Sequence, residues 1–264
     1  MRQHFISRVG GILSADMAVE AVERQRHFYS RVLGTGERPL WRDDLMNSEG
    51  MPIIGLGERT AEHASLPVQW MPHLQVEDVT TSVARALALG AKELMHGRDD
   101  GGKSLWAVLL DPNGAAFGLI PVVPAEMLPS AADDAADGPA STGFIAWADL
   151  TVPEAAHTGD FYREVVGFSV EEVAMVHDGA AYADYNMVGS DGAPAAGICH
   201  ARGVNADLPP VWMIYLPVAD LAESLRRADA DGGAVLKSIR NDDGRPIYAV
   251  IRDPAGACLA LVPA

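Results

Sequence analysis

The chain has 264 residues, 48% of them apolar, enough for one large core or two ordinary domains. Its formal net charge of −16, from 36 acidic and 20 basic residues, argues against nucleic acid or an anionic membrane as partner, because phosphate binding needs clustered Lys and Arg. No run of about eighteen apolar residues occurs, and MRQHFISRVGG lacks the apolar stretch of a secretory signal, so a soluble cytoplasmic protein is expected. Cys199 and Cys258 form no CxxC pair and read as small buried hydrophobes in a reducing compartment.

In chain order, a short apolar strand around 11–16 precedes a helix over roughly 18–33, where Phe28 and Val32, and Tyr29 and Leu33, stack at i,i+4 and Gly34 is the stop. Turn residues NSEG and a strand at MPIIGLG follow. A strand at HLQVED then runs into Asp78, the N-cap expected for a helix over about 79–89 that ends at Gly90. Strands near 92–96, 104–110 and 115–121 come next, the last two joined by the turn DPNG.

The whole order then recurs. HFYSRVLG (27–34) returns as DFYREVVG (160–167), and RDDGGKSLWAVLLDPNGA (98–115) returns as RNDDGRPIYAVIRDPAGA (240–257), with Asp220 as the matching N-cap. The offset grows from 133 to 142, so the second copy carries nine extra residues between Gly167 and Gly189, a longer strand pair or loop. The stretch 127–142, rich in Ala, Asp, Ser and Pro, has the composition of a linker. The expected organisation is α+β: domains 1–126 and 143–264, each of two βαβββ units, four in the chain.

The FY helix closing in Gly and the DPxG turn before a small or apolar strand recur together in both copies. In this the chain resembles the vicinal oxygen chelate superfamily, which includes glyoxalase I, extradiol dioxygenases, fosfomycin-resistance and bleomycin-binding proteins. WMPHLQVEDVTTSVARALALGAK and VWMIYLPVADLAESLRRADADGGAVL are similar to two-domain glyoxalase-like proteins near bacterial secondary-metabolite pathways. The resemblance implies two tandem domains, each a curled mixed-sheet cup with its helices outside. It also implies a divalent ion held by His or Gln on the first strand, His before the second helix and Glu on the last strand. At those positions this chain has Ser14, Met71 and Gly118 in one copy, and Trp147, Met213 and Ala260 in the other. A metal-free member is therefore expected. Glu58 and His200, at equivalent places on the fourth strand, are the fallback ligands for a divalent metal; His4, His27, His63, His96, His157 and His177 show no HxH or HxxxH spacing.

Side chains two apart on a strand share a face, so Asp16 should point inward beside Ser14, and Asp149 beside Trp147. By the same parity His73 accompanies Met71, and Tyr215 accompanies Met213. Asp16 with His73, and Asp149 with Tyr215, are candidate acid–base pairs; the plainer reading, which takes precedence, makes the aspartates caps or backbone partners and the histidine a wall residue. Trp106 and Tyr248 occupy matched positions, and with Trp147, Tyr215, Trp41, Trp70 and Trp212 they suit either aromatic pocket walls or core packing. The function expected is metal-independent binding of a small molecule: an aromatic metabolite, antibiotic or reactive aldehyde. The alternative is a glyoxalase-like lyase, isomerase or ring-opening enzyme using these pairs or an atypical metal site. Two fused copies can mimic the dimer of shorter relatives, so a monomer or a homodimer is expected.

Overall fold

The strand–helix–strand order follows from where the apolar period changes from two to 3.6. In the computed structural model, β1 (Ile12–Val19) leads to α1 (Val22–Leu33) and β2 (Ile54–Glu58). β3 (Met71–Val76), α2 (Val79–Ala88), β4 (Lys92–Arg98), β5 (Ser104–Leu110) and β6 (Ala116–Pro121) complete the first half. The second half holds β7 (Trp147–Val152), α3 (Ala155–Val166), β8 (Ser169–His177), β9 (Ala180–Val188) and β10 (Pro194–His200). It ends with β11 (Trp212–Val218), α4 (Leu221–Ala230), β12 (Ala234–Arg240), β13 (Pro246–Arg252) and β14 (Cys258–Pro263). The described residues are 6–34, 54–128, 142 and 144–264. Trp41, the NSEG turn and most of the expected linker lie outside them.

Two mixed sheets result, in the orders β2-β1-β3-β6-β5-β4 and β12-β13-β14-β11-β7-β10-β9-β8. In each, the first strands of the two units pair antiparallel at the centre, β1 with β3 and β7 with β11, so two units make one cup. The architecture is α+β, two tandem domains with curled sheets, as the repeats and the family resemblance together implied. The strand expected at 11–16 runs on to Val19, and the helix expected from 18 starts at Val22. Met17 and Val19 bury their side chains on the helix side while Ala18 faces the cup, so an alternating pattern holds where a helical one was read. Asp78 and Asp220 do cap α2 and α4, accepting from the backbone N–H of Thr81 at 2.7 Å and of Glu223 at 2.9 Å. Gly34 and Gly167 close α1 and α3 at φ 71° and 93°.

The convex faces of the two sheets share their cores. α1 packs on α4, and α2 on α3, across the halves. One cluster joins Leu74, Val79 and Phe117 to Phe161, Tyr162 and Trp212; the other joins Phe28 and Tyr29 to Ile214, Leu221 and Leu259. Each fully buried aromatic or aliphatic side chain contributes about 1.5–3 kcal/mol of transfer free energy, so neither half owns its core alone.

The FY and DPxG motifs meet at this interface, reciprocally. The Tyr29 hydroxyl donates to Asp253 Oδ2 at 2.7 Å, and the Tyr162 hydroxyl to Asp111 Oδ2 at 3.3 Å. The indole N–H of Trp70 donates to the Tyr29 oxygen at 3.2 Å, and that of Trp212 to the Tyr162 oxygen at 2.8 Å. Each aspartate also gathers the backbone N–H groups of its own turn: Asn113 and Ala115 for Asp111; Ala255, Gly256 and Ala257 for Asp253. Trp70 and Trp212 therefore belong to the interface core.

Candidate functional site

Each cup carries a cluster of polar side chains at the same three repeat positions. In the C-terminal cup, β7 places Trp147 and Asp149 two residues apart on the inner face, and β11 sets Tyr215 opposite Trp147. The Trp147 indole N–H donates to Asp149 Oδ1 at 2.5 Å, and the Tyr215 hydroxyl donates to Asp149 Oδ2 at 2.8 Å. In the N-terminal cup the Ser14 hydroxyl lies 2.8 Å from His73 Nδ1, and His73 Nε2 lies 3.3 Å from Asp16 Oδ2. The carboxylates of the pairs expected from parity thus adjoin their partners, and neither serves as a cap: Ala21 and Glu154 occupy the N-cap positions of α1 and α3.

A glycine on the neighbouring strand pairs in register with each aspartate. Asp149 faces Gly197 across β7 and β10, and Asp16 faces Gly55 across β1 and β2. A Cβ at Gly197 would stand 2.2 Å from Asp149 Oδ1, so only glycine leaves room for the carboxylate. Gly118 does the same for His73, since a Cβ there would fall 2.6 Å from its Cδ2.

The two cups differ in access and electrostatics. Ser14, Asp16 and His73 are 6%, 2% and 8% exposed, whereas Trp147, Asp149, Tyr215, Tyr248 and Cys199 are all half-buried. Burial pushes the His73 imidazole down to about 4, so the ring is neutral at pH 7. A neutral ring carries one N–H; with that proton on Nε2, Nδ1 accepts from the Ser14 hydroxyl. Burial raises the Asp149 carboxyl above its usual range, opposed by the bonds from Tyr215 and Trp147 and reinforced by the charge of Asp184. Burial and the adjacent Asp149 charge both raise the Tyr215 phenol, and burial first, then Asp149 and Asp184, raises the Cys199 thiol. Cys199 is thus a protonated wall residue.

Met71 and Met213 pack into the cup floors, Met71 near Trp106 and Met213 near Tyr248. Tyr248 lies 6.0 Å from Tyr215, ring to ring, tilted by 50°. Glu58 pairs in register with Val19, whose side chain is in the helix-side core; it is exposed and lines a groove of about 700 Å³ at the start of α1. His200 Nδ1 lies 3.2 Å from Asp184 Oδ1, with the Tyr182 ring edge-on to it.

These donors do not fit a divalent ion. Ser14, Met71 and Gly118 stand at the ligand positions of one cup, and Trp147, Met213 and Ala260 at those of the other, which offers one hydroxyl and two thioethers. The space a carboxylate would need at position 118 holds the His73 ring. Among the described residues no group of three or more His, Cys, Asp or Glu is placed to hold a metal ion.

Asp184 and Lys237, which belong to no motif in the sequence, also stand on strands of the C-terminal cup. Asp184 shares the face of Asn186, which pairs with the cup residue Gly197; Lys237 pairs with the cup residue Val250. Strand parity was the available signal for both.

The glyoxalase-like domain family matches residues 14–120, and the glyoxalase/bleomycin resistance protein/dioxygenase superfamily matches residues 144–261. The chain belongs to this superfamily, the vicinal oxygen chelate proteins, as a member with two tandem domains. CFP32 of Mycobacterium tuberculosis, a glyoxylase by name, is 24% identical over 248 residues, 90% of this chain and 88% of the relative. The anthracycline biosynthesis protein DnrV of Streptomyces peucetius is 29% identical over 131 residues, 45% of this chain and 46% of DnrV. The 2,3-dioxygenase LapB from Pseudomonas sp. KL28 superposes with a TM-score of 0.54 at 15% identity, covering 98% of this chain and 93% of LapB. Homoprotocatechuate 2,3-dioxygenase from Brevibacterium fuscum, in complex with 3,4-dihydroxyphenylacetate, gives 0.53 at 15% identity, covering 100% of this chain and 84% of that one. At such identities the likeness to the dioxygenases is one of fold. No helix among the described residues is long and apolar enough to cross a membrane.

Proposed function

We propose that the chain is a metal-independent small-molecule binding protein of the glyoxalase and bleomycin-resistance type, with the C-terminal cup as its working pocket. The observation that carries this reading is the half-buried Trp147–Asp149–Tyr215 group, in which Trp147 stands where the fold's metal-dependent relatives place their first ligand and Asp149 and Tyr215 share its inner face. A carboxylate held by two neutral donors, beside the tilted Tyr215 and Tyr248 rings, suits a flat organic ligand with a polar edge. An aromatic metabolite, antibiotic or reactive aldehyde has that character. Calorimetry with a library of such compounds in EDTA tests it: binding that survives chelation and weakens in Trp147→Ala is expected. Binding that returns only with a restored divalent ion would overturn it.

The Ser14–His73–Asp16 chain favours a second reading, an acid–base lyase or isomerase working in the N-terminal cup without metal. A neutral imidazole between a hydroxyl and a carboxylate can pass a proton in either direction. Turnover should then fall together in Asp16→Asn and His73→Gln; unchanged turnover in both would remove these residues from any mechanism.

A further inference from the structure

The chain has only three lysines, and two of them, Lys92 and Lys103, are exposed in the N-terminal half. The third, Lys237, stands on β12 in register with Val250, which lines the C-terminal cup with Met213 and Ala260. Its side chain is half-buried on that inner face. Nζ donates to the backbone carbonyl of Val204 and lies 3.3 Å from Asn205 Oδ1, both in the single helical turn Gly203–Asn205. It also lies 5.9 Å from the centre of the Tyr248 ring. Tyr248 tilts over Tyr215, whose hydroxyl reaches Asp149. An amine, two phenols and a carboxylate therefore follow one another along one inner face. Partial burial lowers the Lys237 pKa, against the charge of Asp207, which leaves more free amine at neutral pH than a solvent-exposed lysine has.

We propose that Lys237 captures carbonyl ligands, aromatic aldehydes above all, as an imine inside the C-terminal cup. The proposal rests on that cup being the ligand pocket. The unprotonated Nζ adds to the carbonyl carbon, and a proton moves from nitrogen to oxygen to give a carbinolamine. Loss of the hydroxyl as water leaves the C=N bond. The sequence needs no oxidant or reductant, and hydrolysis reverses it. The aromatic ring of the ligand lies against Tyr248 and Tyr215, which holds the carbonyl near the amine instead of leaving it to random encounter. The competing role for Lys237 is purely a tether for the Gly203–Asn205 turn, and Lys237→Arg separates the two. Arginine keeps the charge and the donors but forms no imine with a monoaldehyde.

The test incubates the full chain with 4-hydroxybenzaldehyde and sodium cyanoborohydride at neutral pH, then maps adducts over the three lysines by peptide mass spectrometry. Lys237 should be modified about tenfold faster than Lys92 or Lys103, with a rate that saturates in aldehyde. The alcohol analogue, 4-hydroxybenzyl alcohol, should compete, and calorimetry should show it still binding to Lys237→Arg while that variant loses the cup adduct. Equal labelling of the three lysines overturns the proposal. If the alcohol binds and Lys237 stays unmodified, capture is wrong and the pocket reading stands. If neither compound binds and labelling is indiscriminate, the pocket reading fails with it.

Discussion

Asp149 sets the character of the C-terminal cup because its carboxylate is held by neutral donors and packed against a bare backbone. Gly197→Ala would drive a methyl group into Asp149 Oδ1, so the aspartate must leave its seat and lose the Trp147 bond. The expected cost is about 1–3 kcal/mol in urea denaturation, the range for overpacking, together with weaker ligand binding by calorimetry. The raised Asp149 pKa has a definite sign. Protonation favours the folded state, so the stability this group contributes is full below the unfolded value of 3.8 and lost as pH rises through the folded pKa. Wild type should therefore lose stability relative to Asp149→Asn as the pH is raised from about 4 to 7; melting temperatures of both proteins over that range check it. A difference that stays flat, or grows in the wild type's favour, would contradict the burial effect. Strand parity alone put Asp16, Asp149, His73 and Tyr215 on the inner faces. It said nothing of Gly197 or Gly118 as seats, because a missing side chain matters only once the neighbouring strand is in place.

Among the elements, the stretch between Gly167 and Gly189, nine residues longer than its counterpart in the first copy, forms the hairpin β8–β9 and not a loop. Its strands extend the second sheet to eight, and its turn is Asp178–Gly179, with φ of 49° and 77°. Two consecutive positive φ values are those of the tight hairpin turn whose twist matches the strands, and Asp-Gly is a preferred pair for it. Gly179→Ala should cost about 1 kcal/mol, since alanine pays the left-handed penalty and finds no new contact there. Chemical denaturation measures it. The sequence read the caps of α2 and α4 correctly because an Asx cap is local, bonding three residues ahead. It misplaced the start of α1 because Met17, Ala18 and Val19 fit a helical stripe as well as an alternating strand, and only the sheet they join decides between the two.

At the scale of the molecule, the two halves are bound by exchanged tyrosines. Tyr29 is fully buried and donates at 2.7 Å to Asp253; Tyr162 is fully buried and donates at 3.3 Å to Asp111. Removing either hydroxyl leaves a buried carboxylate short of a donor, at about 1–3 kcal/mol, and the shorter bond makes Tyr29→Phe the costlier of the two. Because both core clusters draw residues from each half, scanning calorimetry should show one cooperative transition for the whole chain. Two resolved transitions would mean that the halves fold independently. The sequence by itself determined the four repeated units, their helix stops and caps, and the inward faces of the central strands. All of these depend on neighbours a few residues apart. Only the tertiary structure decided that the FY tyrosine of one half binds the DPxG aspartate of the other, that Ser14 meets His73, and that Lys237 lies on the inner face of the cup that holds Asp149. Those partners lie far apart along the chain, and their meeting depends on sheet register and interface packing, which no local pattern of residues encodes.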